Sequence, residues 1–138
     1  MSQPLLLDTC AAIWLVNGDD IDDATLTAIE ASQNAKEPLL VSAITAWEVA
    51  TLVAKARISM AIPVEIWWQK LVDHQAIECV ALSPDILIRS TTMPGTPPSD
   101  PADRMVIATA RDIGATVVTR DRKILDYGDH GHVSVMRC

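Results

Sequence analysis

Short apolar segments that alternate with helical patterns constrain the fold of this chain more than any other feature of its sequence. The segments run over 4–7, 39–41, 78–82 and 116–118. Between them lie stretches with apolar residues at helical spacing, such as 101–113, where a proline suits the first turn and Gly114 suits the end. Parallel strands joined by helical crossovers produce this pattern, with helices on both faces of the sheet. The sequence therefore predicts an α/β fold with a central parallel sheet.

The remaining pattern places helices between these strands and after the last of them. Helical spacing runs over 9–17, from 22 or 23 to about 33, 45–57, 64–73, 84–90 and 101–113, with a short turn near Ile124. Residues 133–136 are predicted to form a last edge strand. The 138 residues contain no repeat and no linker, and 49% of them are hydrophobic, so one domain is predicted over 1–138.

Charge and cysteine content narrow the class of protein. A formal charge of −7 and a pI near 4.7 argue against a surface that attracts nucleic acid everywhere, although acids gathered at a metal site also lower the charge of a nuclease. No apolar run approaches the roughly 18 residues of a membrane span, and the apolar N-terminal stretch lacks the basic residues of a signal peptide. Cys10, Cys79 and Cys138 have no metal-type spacing. A cytoplasmic protein with small, packed, reduced thiols is expected.

Carboxylates stand at four junctions between predicted strands and helices: Asp8, Glu48, Asp103 and Asp121. The carboxyl ends of parallel strands lie at one edge of a sheet, so these acids are expected to share that edge. Two like charges 4 Å apart repel by roughly 4 kcal/mol at an effective dielectric constant of 20, and a helix N-terminus offsets only about 0.3–1 kcal/mol. Carboxylates without histidine are the ligand set of Mg²⁺ or Mn²⁺. Such a cluster makes chemical sense with a metal ion in it.

Each of these acids has an alternative explanation as a helix cap. Thr45 and Glu48 have the spacing of a capping box, in which the glutamate reaches back to a free backbone N–H. Asp100 fits an N-cap that is followed by proline, with Asp103 favoured by the helix dipole three residues later. The acids that follow the first and fourth strands suit caps of the helices behind them. Capping explains each acid taken singly, whereas a metal site explains the four together.

Four segments of the sequence resemble the PIN-domain ribonucleases, most closely the VapC-type toxins of bacterial toxin–antitoxin pairs. They are L-L-L-D-T-C-A-A-I-W-L at 5–15, S-A-I-T-A-W-E-V-A at 42–50, D-P-A-D-R-M-V-I-A-T-A at 100–110 and V-V-T-R-D at 117–121. The resemblance implies a three-layer α/β/α fold in which Asp8, Glu48, Asp103 and Asp121 are the catalytic acids that hold Mg²⁺ or Mn²⁺. It also implies that Asp121 is the acid that can bind through water.

The resemblance further implies a metal-dependent endoribonuclease that hydrolyses RNA, forms a homodimer and is bound by an antitoxin protein. Asp100 is read as a cap or an outer-shell group rather than a ligand. Thr9 and Thr119 adjoin the acids and are expected either to hold a carboxylate or a metal-bound water, or to cap the local backbone. The alternative is a catalytically silent PIN-fold module that binds RNA or protein. Retention of all four acids favours the enzyme.

The remaining aromatic and charged residues give weaker expectations. Trp47 is expected to pack in the core, and either Trp67 or Trp68 to lie at a surface groove or a dimer contact. His130 and His132 are expected in a solvated turn. Arginines beside the acids, namely Arg104, Arg120 and Arg122, are expected either to neutralise RNA phosphates or to pair with nearby acids.

Overall fold

The computed structural model describes residues 3–17, 22–74 and 77–138, and its order of elements matches the predicted alternation of strands and helices. The five strands of this part of the chain are β1 (Leu5–Leu7), β2 (Leu39–Ser42), β3 (Ile77–Val80), β4 (Thr116–Thr119) and β5 (Ser134–Arg137). The helices are α1 (Thr9–Asn17), α2 (Asp23–Asn34), α3 (Ala43–Ala54), α4 (Val64–His74), α5 (Pro84–Arg89), α6 (Pro101–Ile113) and α7 (Arg122–Asp129). No helix among the described residues is long and apolar enough to cross a bilayer.

The five strands form one parallel sheet in the order β3-β2-β1-β4-β5. Successive side chains of a strand point to opposite faces, and β1 shows this directly. Leu5 and Leu7 join a core with Ile29 of α2 and Leu71 of α4. Leu6, between them, joins a second core with helices α6 and α7. The sheet is therefore covered by helices on both faces, which confirms the three-layer α/β/α prediction.

The strand order reverses beside β1. From β1 the chain moves outward to β2 and β3, then returns across the sheet to add β4 on the other side of β1. The two sets of crossovers leave the sheet on opposite faces, which opens a crevice between the carboxyl ends of β1 and β4. Asp8 directly follows β1, and Asp121 lies two residues beyond β4. This reversal is where ligands bind in open α/β sheets.

The start of α3 differs from the predicted capping box. Ser42 is the N-cap, because its hydroxyl oxygen accepts a hydrogen bond from the backbone N–H of Ile44 at 3.2 Å. The helix thus begins at Ala43, and Thr45 is fully buried inside it rather than at its end. The shifted start releases Glu48 from a capping role and leaves its side chain available to the sheet edge.

Two predictions about buried side chains are wrong. Trp47 is 61% exposed, since the buried residues of α3, Thr45 and Val49, lie on the opposite side of the helix. Cys10 and Cys79 are exposed residues whose thiols are only partly covered, whereas Cys138 is buried as predicted.

The adjacent residues Trp67 and Trp68 differ from one another in burial. Trp67 is buried at 2% exposure in the core that contains Leu5, and Trp68 packs partly buried against the same core. Adjacent helical residues point about 100° apart, so the two indoles contact this core to different extents.

Candidate metal centre

Asp8 is the most buried of the predicted acids and is held at both oxygens. Its Oδ1 accepts a hydrogen bond from the backbone N–H of Ala11 at 2.8 Å, and its Oδ2 accepts one from the Thr119 hydroxyl at 2.5 Å. The first bond is the expected cap of α1, and the second joins the ends of β1 and β4. Burial raises the pKa of Asp8, with a smaller contribution from the negative charge of Asp121. Asp8 is thus fixed in orientation at the crevice.

Glu48 reaches the same edge from α3 and is oriented by a chain of hydroxyls. The Thr9 hydroxyl donates to Glu48 Oε1 at 2.5 Å and lies 3.2 Å from the Thr45 hydroxyl. A hydroxyl has one proton, so Thr45 must donate to Thr9 while Thr9 donates to Glu48. Burial raises the pKa of Glu48, and the charges of Asp100 and Asp8 raise it further.

Asp100 and Asp103 open α6. Asp100 is the N-cap, and its Oδ1 accepts a hydrogen bond from the backbone N–H of Asp103 at 3.0 Å. The carboxylates of Glu48, Asp100 and Asp103 each offer an oxygen, and these three oxygens lie within 4.8 Å of one another. The capping role of Asp100 is confirmed, but its carboxylate also belongs to the group. The three-residue spacing of D-P-A-D was the available signal, because residues i and i+3 of a helix are neighbours.

Asp103 carries the clearest electrostatic signature of the site. Burial raises its pKa to about 7, and the charges of Asp100, Asp121, Glu48 and Asp8 also contribute, in that order. The five acids therefore act on one another electrostatically, and we call them the acidic cluster. A carboxyl that titrates near neutral pH beside four others is in a field that favours a bound cation.

Asp121 is one of the two exposed members of the acidic cluster, and Asp100 is the other. Its Oδ1 accepts hydrogen bonds from the backbone N–H groups of Lys123 at 2.8 Å and Ile124 at 3.1 Å, so it caps α7. Its own backbone N–H donates to the Thr119 hydroxyl at 3.0 Å. Thr119 thus binds both Asp8 and Asp121, which combines the two roles that the sequence left open for this threonine.

Cys10 lies beside the acidic cluster but is poorly suited to act as a nucleophile. Partial burial raises the pKa of its thiol to about 11, and the charges of Asp8, Glu48, Asp121 and Asp103 contribute. The reactive form of cysteine is the thiolate, which this field disfavours at neutral pH.

Two of the arginines beside the acids, Arg104 and Arg120, donate hydrogen bonds to backbone carbonyl oxygens. Arg104, next to Asp103, donates from Nε to the carbonyl oxygen of Pro98 at 2.5 Å. The guanidinium of Arg120 stacks 3.9 Å from the ring centroid of Trp14, and its Nε donates to the Cys138 carbonyl oxygen at 2.9 Å. The salt bridge found within the described residues joins Arg89 to Asp112 at 2.6 Å.

The donor chemistry of the acidic cluster fits a hard divalent cation. Every side-chain donor in it is a carboxylate oxygen, the ligand type that Mg²⁺ and Mn²⁺ prefer. Two carboxylates, Asp8 and Glu48, are held by threonine hydroxyls, as ligand-orienting groups hold metal ligands.

The fold and the acidic edge together define a known class of protein. A family model described as PIN domain matches residues 5–129, and the chain belongs to the PIN-domain family.

Within that family the chain is of the VapC type. It is 36% identical to ribonuclease VapC22 of Mycobacterium tuberculosis over 120 residues, which cover 87% of this chain and 88% of the relative.

The fold is also similar to those of chains in two solved complexes. One is the crystal structure of VapBC2 from Rickettsia felis bound to a DNA fragment from their promoter, with a TM-score of 0.67 at 13% identity over 96% of this chain and 97% of that chain. The other is the crystal structure of DNA-bound VapBC from Salmonella typhimurium, with a TM-score of 0.66 at 17% identity over 99% and 98% of the two chains. At these identities the likeness concerns the fold.

Proposed function

We propose that this protein is a metal-dependent endoribonuclease and the toxin of a toxin–antitoxin pair. The observation that carries the proposal is the acidic cluster at the strand-order reversal, in which four neighbouring carboxylates help to raise the pKa of Asp103 to about 7. The relative VapC22 is named a ribonuclease, and it aligns with most of this chain.

In the proposed mechanism, the carboxylates of Asp8, Glu48, Asp103 and Asp121 hold Mg²⁺ or Mn²⁺, and Asp100 contributes to the same field. The chemistry that such an ion would supply is a lowered pKa for a water molecule and an offset of negative charge on the phosphodiester oxygens. The protein supplies carboxylates from four separate parts of the chain, and hydrogen bonds hold those of Asp8, Glu48 and Asp121. No covalent intermediate is required, consistent with the raised pKa of the Cys10 thiol.

The threonines position these carboxylates. Thr119 holds Asp8 in its capped orientation, and Thr9 orients the carboxylate of Glu48, each through a hydrogen bond of 2.5 Å. A fixed carboxylate does not have to lose rotational freedom when the metal binds, so these hydroxyls are expected to strengthen metal binding.

The proposed partners follow from the relatives. The structures similar in fold are VapBC complexes, so an antitoxin protein is the expected inhibitor. We further propose that the protein forms a homodimer and that it acts on RNA in the cytoplasm. Large apolar side chains are exposed on α3 and α5, including Trp47 at 61% and Ile88 at 63%, and exposed apolar surface suits a protein interface. The sedimentation velocity of the purified protein tests the homodimer.

The direct test is cleavage of total cellular RNA by the purified protein with Mg²⁺ or Mn²⁺. We expect discrete fragments that disappear with EDTA and with Asp103→Asn. Asp85→Asn is the matched control, because Asp85 also lies in the first turn of a helix that begins with proline but belongs to α5. Fragments that persist in EDTA, or in Asp103→Asn protein, contradict the proposal.

A further inference from the structure

A groove lies between α7 and the loop that precedes α6. It has a volume of about 420 Å³, and its polar lining includes Ser99, Lys123, Asp126, His130 and His132. We call it the α7 groove. None of its lining residues belongs to the acidic cluster, and its volume is within the range of about 300–1,000 Å³ typical of small-ligand sites.

The loop wall of the α7 groove is anchored. The Tyr127 hydroxyl donates to the Pro94 carbonyl oxygen at 2.5 Å, and Arg104 holds the carbonyl of Pro98. The His132 ring lies 4.7 Å from the Tyr127 ring, centroid to centroid, and also packs against Gly95. A Cβ atom at Gly95 would come within 2.5 Å of His132 Nε2, so glycine permits this packing. The groove is therefore preformed.

Both walls of the α7 groove lead directly into the acidic cluster. Ser99 precedes Asp100, and Lys123 is the residue whose backbone N–H is bound by Asp121. From Lys123 to His130 the groove follows about 10 Å of helix. A strand of RNA with one phosphate at the acidic cluster is thus able to place an adjoining base in the groove.

Two opposite charges in the α7 groove are available to a ligand. Lys123 and Asp126 are exposed, stand three residues apart on the same face of α7, and form no ion pair with each other or with other residues of the described part. Lysine only donates hydrogen bonds and an ionised carboxylate only accepts them. A ligand that matches this pair carries hydrogen-bond acceptors for Lys123 next to hydrogen-bond donors for Asp126.

Among the four RNA bases, guanine fits this pair best. Its O6 and N7 atoms accept hydrogen bonds, which suits Lys123, and its N1–H and N2–H₂ groups donate them, which suits Asp126. Pro97 and the Tyr127 ring supply the apolar part of the lining.

We propose that the α7 groove is a subsite for a guanine base that adjoins the phosphate at the acidic cluster. This inference rests on the proposed ribonuclease function, since it names the base that the enzyme recognises beside the cut.

Binding of the four ribonucleoside 5′-monophosphates, measured by NMR in EDTA, tests the subsite without requiring catalysis. The chain has three histidines, so the ring signals of His130 and His132 are simple to follow. We expect GMP to shift both signals and to bind roughly tenfold more tightly than AMP, CMP or UMP. Lys123→Gln and Asp126→Asn are each expected to weaken GMP binding roughly tenfold.

The matched controls are Lys70→Gln and Asp73→Asn, a pair with the same spacing on α4. They are expected to leave GMP binding unchanged. Equal affinity for the four nucleotides, or variants of α7 that bind GMP like the wild type, overturns the subsite. If the α7 variants instead weaken only antitoxin binding, the groove is a protein contact and the proposal is wrong. If the protein binds GMP but does not cleave RNA in the presence of the metal, the subsite proposal stands and the ribonuclease proposal fails. The two failures are therefore distinguishable.

Discussion

Replacing Asp103 with asparagine is expected to stabilise the metal-free protein at pH 8. Burial and four neighbouring carboxylates raise the pKa of Asp103 to about 7, so ionising it destabilises the folded state. The wild type therefore loses stability as pH rises from the ordinary pKa of an aspartate through about 7. Asparagine cannot ionise, so the variant avoids that loss. At pH 4 the Asp103 carboxyl is protonated in the folded state and little of the loss has occurred, so the advantage of the variant disappears.

The size of the effect follows from the pKa. A shift from 3.8 to about 7 corresponds to about 4 kcal/mol for a fully buried group. Asp103 is half-buried, and solvent screening reduces this to about 1–2 kcal/mol. The variant also loses a negative charge in the first turn of α6, which lowers the free energy of unfolding by about 0.3–1 kcal/mol. The net gain is about 1 kcal/mol, which raises the melting temperature by roughly 3 °C for a chain of this size.

Thermal unfolding followed by circular dichroism in EDTA at pH 4 and pH 8 measures this difference. The matched control Asp85→Asn loses the same helix-dipole interaction on α5 without relieving the acidic cluster, so its melting temperature should fall slightly at pH 8. An Asp103→Asn protein that melts no higher than the wild type at pH 8 would refute the repulsion on which this reasoning depends.

Three further outcomes are expected. Mn²⁺ should raise the melting temperature of the wild type by mass action. The dissociation constant of Mn²⁺, measured by calorimetry, should rise about tenfold for each pH unit below 7, because a proton competes with the ion for Asp103. A dissociation constant that does not change with pH would contradict this. Thr9→Val should weaken Mn²⁺ binding and slow RNA cleavage, because Glu48 loses the hydroxyl that orients it, whereas Thr9→Ser should retain both; equal behaviour of the two variants would contradict it. Gly95→Ala should lower the free energy of unfolding in urea by about 1 kcal/mol or more, because φ is +68° and the added carbon meets His132; an unchanged urea midpoint would be the contrary result.

The fold was predictable because its signals are local and repeated. Three-residue and four-residue apolar strands are recognisable between helical patterns, and the bounds of α6 follow directly from Pro101 and Gly114. The start of α3 was missed because Ser42 and Thr45 are both good caps in the sequence, and only the end of β2 decides that Ser42 takes the role.

The acidic edge was predictable in outline but not in its contacts. Strand ends and helix starts placed Asp8, Glu48, Asp103 and Asp121 at one edge, and their mutual electrostatic effects agree with that placement; their role as metal ligands stays a prediction. The spacing of D-P-A-D predicts that Asp100 lies near Asp103, but its distance from Glu48 depends on how α6 approaches α3, which sequence spacing does not contain.

Trp47 shows a different limit of the sequence. A large aromatic residue beside an apolar run usually packs inside, but Trp47 is not among the residues of either core. Which side of a helix faces the sheet is set by the pairing of distant elements, so hydrophobicity alone gave the wrong answer.

The insertion of β4 beside β1 has a consequence for how the protein is made. Thr119 and Asp8 are 111 residues apart in sequence, yet their hydrogen bond joins the two strands that flank the crevice. Pairing of such distant segments comes late in folding, since the entropy of closing the loop must be overcome first. A chain emerging from the ribosome has no complete acidic cluster until Asp121 has been synthesised and β4 has docked. Under the proposed function, the nascent chain therefore lacks its metal site until translation has passed β4, and an antitoxin already in the cell is able to meet the toxin as this site forms.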